Sequence, residues 1–293
     1  FGGFVNSWLG WRWAFYLVVP PGLLLAALCL LRREPRLSTA VRSTEKRSYI
    51  ADAKTLLKIP SYALNTAAMT AMTFAIGGIS FWIPKYMQQR LAIDEGLVPI
   101  MGVEHFLHTQ SPAMRARLTE LLTQANMTFG VIVVVAGFIS TILGGWMGDK
   151  LRARWRGSYF VISGFAIALA FPCTLGMIWL PFPYAWAAVF GAVFFLFFNT
   201  GPANTALANV TSSRMRATAF ALNIFLIHAL GDAISPPLIG WIAKHTTWNT
   251  AFLLVSLMMV LASVLWLIGA RYLGRDEDAA TREEKADVQA AAA

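Results

Sequence analysis

His228 and Asp232 lie four residues apart in HALGDAISPPLIG, inside a long apolar stretch. No other acid and no other histidine falls in an apolar segment of membrane-spanning length. An ionisable side chain at membrane depth costs roughly 2.5–3.5 kcal/mol on insertion scales, so such groups face polar cavities and mark functional sites. Positions four apart share one face of a helix. An imidazole beside a carboxylate can hold or pass a proton near neutral pH, and the two titrate as a coupled pair. Gly231 and the Pro236–Pro237 pair flank them; both weaken the backbone ladder and free polar groups for a ligand. The structural alternative is a protonated Asp232 bonded to a neighbouring helix. The residues leave both readings open.

The elements that must hold this pair are membrane helices. The chain has 293 residues, 57% hydrophobic and only 13% charged, with a mean hydropathy of +0.57. Soluble domains carry about 25% charged residues. About 20 apolar residues span a bilayer as a helix, and seven stretches qualify: 13–31, 61–83, 125–147, 159–180, 184–208, 217–242 and 249–271. Residues 1–7 resemble the tail of an eighth. If the sixth stretch begins near Ala217, a core of roughly 30 Å at 1.5 Å per residue puts its midplane about one residue before His228.

The formal charge of +9 invites a nucleic-acid reading, which the placement of the charges argues against. Lysine and arginine crowd into 31–59, into 149–157 (Lys150, Arg152, Arg154, Arg156) and around Arg214 and Arg216. The alternate loop 84–123 balances its bases with Asp94, Glu95, Glu104 and Glu120. That alternation is the positive-inside pattern and puts 31–59, 149–157, 211–216 and the C-terminal tail in the cytoplasm. Cys29 and Cys173 both lie in apolar spans, so no disulfide is expected. Trp8, Trp11, Trp13, Trp82, Trp241 and Trp248 fall at the opposite boundaries, as interfacial anchors do. The chain opens on Phe1 in mid-pattern, and we expect an N-terminally truncated piece.

Smaller signals sit around this frame. In the linker, Tyr49, Ile50, Ala53, Leu56 and Leu57 recur at helical spacing opposite Asp52, Lys54 and Lys58; this is an amphipathic helix on the membrane surface or a solvated tether. In the outer loop, Ser111 suits an N-cap and Pro112 a first helical position, with Met114, Leu118, Leu121 and Leu122 on one face. Thr66, Thr70, Thr73, Gly77 and Ser80 form a stripe of small residues, either tight helix packing or a cavity wall. Asn199, Asn204 and Asn209 surround Gly201–Pro202, satisfied around a kink or touching a substrate. Ser235 completes the set of cavity candidates. The tail 274–293, charged and Ala-rich, is expected to fray. No Walker-type phosphate loop or GxSxG elbow is present, so ATP-driven transport and hydrolysis are unsupported. No third metal ligand is evident beside His228 and Asp232. No cofactor and no enzymatic activity are expected.

Three segments carry a family resemblance. GGWMGDKLRAR (144–154) resembles the loop signature of the major facilitator superfamily. GWRWAFYLVVPPGLLLAALCLLRREPR (10–36) resembles the sixth helix of its Spinster-like branch, and RATAFALNIFLIHALGDAISPPLIGWIA (216–243) that branch's eleventh, with His228, Gly231, Asp232, Ser235 and Pro236 in its order. The resemblance implies an all-α polytopic membrane protein of the superfamily fold, holding about seven complete helices, numbers 6–12 of twelve. Residues 1–31 would close the N-terminal half, 32–60 form the cytoplasmic linker, 61–273 the C-terminal six-helix half and 274–293 the tail. It further implies alternating-access transport of an amphipathic organic molecule or anion, lysolipid-like in the eukaryotic members, with proton coupling through His228 and Asp232 as an option. Asp149, Arg152 and Arg154 would form the gating loop. The implied partners are a lipid or small-molecule substrate, membrane lipids and the missing N-terminal half, with no nucleic acid. The implied location is a bacterial inner membrane. An uncoupled lipid or solute facilitator and a non-transporting receptor remain as alternatives.

Overall fold

The computed structural model describes residues 5, 8–31, 49–97 and 111–292. Most of the expected helix tail at 1–7, the first part of the linker and residues 98–110 of the outer loop lie outside them. Two short helices, α1 (Trp11–Tyr16) and α2 (Val19–Leu30), lie near the start of the described residues, and α3 (Tyr49–Leu57) lies in the linker. There follow α4 (Pro60–Asp94), α5 (Pro112–Arg152), α6 (Ser158–Trp179), α7 (Tyr184–Phe198), α8 (Thr200–Asn209) and α9 (Arg216–Ile227). A π-helical turn (His228–Asp232), α10 (Ser235–His245) and α11 (Trp248–Ala292) complete it. Six helical segments among the described residues are long and apolar enough to cross a membrane, counting α7 with α8 and α9 with α10 as single spans.

The seventh expected span, 13–31, is divided. Its α2 portion is apolar but short. Pro20 and Pro21 have no amide hydrogen to give to the carbonyls four residues back, so the ladder is interrupted where α1 meets α2.

The helices form two compact units. The first gathers residues up to 39 with 83–131. Here the ends of α4 and α5 form a hairpin around Ala92, Leu118 and Leu121, with Leu91, Leu97 and Met114 against them. Gln88 donates from Nε2 to the Leu118 carbonyl at 2.7 Å. Ser111 caps α5 as expected, its Oγ accepting the Met114 amide at 3.3 Å. Arg117 grips Glu95 with two hydrogen bonds, of 3.0 and 2.6 Å, which hold the Glu95 carboxyl below its ordinary pKa.

The second unit, 40–82 and 132–293, is a helical bundle. In it α6 packs on α7 and α11, α10 on α11, and α3 on α9. Trp266, Tyr62, Phe160 and Phe252 fill its interior. Close backbone approach needs glycine: a Cβ at Gly144 would stand 1.8 Å from the Phe198 carbonyl oxygen. Asn65, fully buried, ties three helices by donating to the Ala203 carbonyl at 3.1 Å and accepting from Trp266 Nε1 at 2.8 Å. Tyr62 Oη donates to the Ala219 carbonyl at 2.8 Å.

Helix α11 corrects one expectation. It does not fray after residue 273 but continues to Ala292. Asp276 and Glu277 are buried in it, because each carboxylate meets donors from the helix ends around it.

Candidate functional site

The span α9–α10 is not one regular helix. At its centre the Ala233 amide reaches back five residues to the His228 carbonyl, at 3.0 Å, closing a π turn over His228–Asp232. Such single-turn bulges are rare and occur mostly at functional sites. Pro236 and Pro237 follow at once and cannot donate to the carbonyls of Asp232 and Ala233. The sequence thus loosens its own backbone where it carries its charge.

His228 Nδ1 lies 2.9 Å from Asp232 Oδ2. A proton between them can sit on the carboxyl or the ring. The side chains are 60% and 37% exposed, so the pair is open on the bundle surface rather than sealed between helices. An open depression of about 390 Å³ adjoins it, lined by Gly77, Ser80, Phe81, Asp232, Ala233 and Pro236.

Two glycines bring α4 against this turn. A Cβ on Gly77 would stand 2.6 Å from Asp232 Cβ and 2.7 Å from Ser235 Oγ. A Cβ on Gly231 would meet the Thr70 carbonyl and the Phe74 amide at 3.1 Å. Trp82 Nε1 donates to the Pro236 carbonyl at 2.8 Å, and its ring lies 5.0 Å from that of Trp248. Three of the expected interfacial tryptophans therefore belong to one end of this unit, Trp241 among them with its ring 4.6 Å from His245.

The remaining candidates separate by burial. Thr66, Thr73, Asn199 and Ser235 are buried in helix contacts, while Thr70 and Asn204 are half-buried. Thr70 Oγ1 donates to the Thr66 carbonyl at 2.8 Å, and Asn204 Nδ2 to the Thr200 carbonyl at 2.8 Å. The oxygens Thr66 Oγ1, Asn199 Oδ1 and Ser235 Oγ are buried without a partner among the described residues. Only Ser235 and the Thr70–Thr73 face come up to the His228–Asp232 turn.

The basic loop forms a second cluster. Asp149 accepts from Tyr159 Oη at 2.8 Å. Arg152 pairs with the buried Glu277 and donates to the Arg156 carbonyl at 2.6 Å. Arg154 is exposed and makes no ion pair among the described residues. Asn209 also donates to Glu277, at 3.4 Å, and Arg156 holds Asp278 through two hydrogen bonds of 2.7 and 2.5 Å. Asp276 accepts the Ser61 amide at 3.0 Å and so caps the start of α4. Sequence reasoning assigned none of the tail acids to this cluster. The signal was present: Met259, Ala262, Trp266, Gly269, Leu273, Asp276 and Ala280 alternate three and four apart, and all are buried.

The chain resembles known proteins over most of its length. The model of the Major Facilitator Superfamily matches residues 1–231 and 123–292. Protein spinster homolog 3 of Danio rerio is 30% identical over 294 residues, covering 92% of this chain and 55% of its own length. Sphingosine-1-phosphate transporter SPNS2 of Xenopus tropicalis is 25% identical, covering 94% and 53%. The crystal structure of a bacterial homolog to the human lysosomal transporter Spinster, inward-facing and unoccupied, matches with a TM-score of 0.61 at 15% identity. That match covers 94% of this chain and 63% of the other, and it shows the fold alone. The chain spans about half the length of the curated relatives it matches.

Proposed function

Because this chain belongs to the Major Facilitator Superfamily, an integral-membrane family of transporters and not of enzymes, we propose that it works by alternating access on a lipid-like amphipathic molecule, with His228 and Asp232 as its proton-handling site. The observation that carries this reading is the 2.9 Å His228–Asp232 contact on a π turn, open to the bundle surface. One proton shared by the pair changes the charge of a surface that a substrate headgroup can reach. The adjoining depression offers the acid and Ser80 on one side and Phe81 and Pro236 on the other, a lining suited to a molecule with both polar and apolar parts. The relatives, a sphingosine-1-phosphate transporter of Xenopus tropicalis among them, support the same chemical class.

In the proposed orientation the cluster of Asp149, Arg152 and Glu277 lies at the cytoplasmic end and latches it. The basic side chains of that end satisfy the positive-inside pattern, and the tail of α11 lies with them.

The test uses the full-length protein in proteoliposomes with an imposed pH gradient. Asp232→Asn keeps shape and hydrogen-bonding capacity but cannot ionise. It is expected to fold and to lose pH-dependent transport; His228→Gln is expected to flatten the same profile, because it removes the other partner of the 2.9 Å contact. If the Asn variant keeps the wild-type rate and pH dependence, the coupled reading fails and an uncoupled facilitator takes its place.

A further inference from the structure

At the opposite end from the tryptophans of α4 and α10, a groove of about 520 Å³ runs between the start of α6 and α11. Its body is apolar, with Val161, Phe165 and Leu267, and its mouth carries Trp155, Arg156 and Arg271. We propose that this groove is a binding site for an anionic phospholipid, separate from the His228–Asp232 site.

Three observations point to that occupant. The first is position. The groove straddles the level where the apolar run of α11 gives way to Arg271 and the charged segment beyond it. A molecule seated there has its chains against Phe165 and Leu267 and its headgroup at the arginines. Phe165 is 60% exposed and Trp155 52%, so no described side chain covers this apolar wall or its indole rim.

The second is charge. Arg271 is exposed and makes no ion pair among the described residues. Arg156 is engaged by Asp278 and lies 3.8 Å from Glu277, so these two acids face the mouth from α11. The free cation that selects an anionic headgroup is therefore Arg271, with Arg156 held beside it. Basic pockets between transmembrane helices bind acidic lipid headgroups in this manner.

The third is the open end of α6. Gly157 stands at its N-cap with no side-chain hydrogen bond, and the first turn holds no acid. The positive end of the helix dipole there adds to the pull of the arginines on a phosphate. Gly274 keeps the α11 wall low, since a Cβ there would stand 3.3 Å from Arg156 Cβ.

Native mass spectrometry of the full-length protein, released from nanodiscs of mixed phosphatidylglycerol and phosphatidylcholine, tests this. Phosphatidylglycerol should be retained over phosphatidylcholine. Arg271→Gln should reduce that retention by about fivefold, the effect of one basic side chain at a lipid surface. Lys285→Gln, on the exposed tail, should leave it unchanged. Phe165→Ala, which keeps every charge, should weaken retention as well, and it serves if Arg271→Gln folds poorly. Equal retention in wild type and both groove variants would overturn the proposal, as would equal retention of the two lipids. Displacement of the lipid by millimolar inorganic phosphate would reduce the groove to a simple anion site and overturn it too.

Discussion

Gly77 has no side chain to contribute, yet it determines how closely α4 approaches the titratable turn. An added methyl would lie 2.6 Å from Asp232 Cβ and 2.7 Å from its Cα, and backbone, not a flexible side-chain end, would have to move. Overpacking of this kind costs about 1–3 kcal/mol. Gly77→Ala is therefore expected to lower the Tm of the purified protein and to shift the pH profile of transport together. Gly145 provides the contrast, because a Cβ there meets nothing within 4 Å. Gly145→Ala should be neutral or raise stability by about 0.5–1 kcal/mol, the usual helical difference between the two residues. Equal effects of the two substitutions on Tm would show that the close contact at Gly77 is immaterial.

At the scale of elements, α4 is held at two points. Its start is capped by Asp276 from α11, and one turn further on it is bound through Asn65 to Trp266 and Ala203. Removing the amide leaves the buried Trp266 N–H without its acceptor, at about 1–3 kcal/mol for a group so stranded. Asn65→Ala should thus lower the Tm of the purified protein; an unchanged Tm in thermal unfolding would contradict the network. Glu277→Gln tests a separate contact, the hold of Arg152 on the tail of α11. The side chain of Glu277 is 5% exposed and that of Arg152 26%, so the loss should fall below the 3–5 kcal/mol of a wholly buried broken pair. It should appear as faster hydrogen exchange in α11 beyond Leu273, and unchanged exchange there would show that the tail is held by something else.

For the whole molecule, the two ends of the second unit differ in chemistry. Trp82, Trp241 and Trp248 belong to one, and Arg152, Arg156 and the tail acids to the other. We expect a cysteine at position 115 to label from the outside and cysteines at 153 and 215 from the inside, on a background lacking Cys29 and Cys173. Labelling of 115 from the cytoplasm would reverse the orientation and with it the placement of the latch.

What local geometry dictates could be read from the chain alone. Apolar runs set the helices, and Ser111–Pro112 set the start of α5, because both depend on neighbours within one turn. The pairing of His228 with Asp232 follows from their spacing on any helix, although the π turn beneath them was not foreseen. Burial is another matter. Thr66, Thr73, Asn199 and Ser235 looked equivalent to Thr70 and Asn204 in the sequence, yet which of them the bundle covers depends on which helix faces meet. The same holds for Asp276 and Glu277. In a charged, Ala-rich tail they suggest solvent, and only their partners, the Ser61 amide at 3.0 Å and the Arg152 guanidinium, make burial favourable. Those partners lie 215 and 125 residues away in the chain, so the three-and-four spacing that turns Asp276 inward cannot identify them. A buried charge is stable only where distant donors converge on it, and that convergence belongs to the tertiary structure.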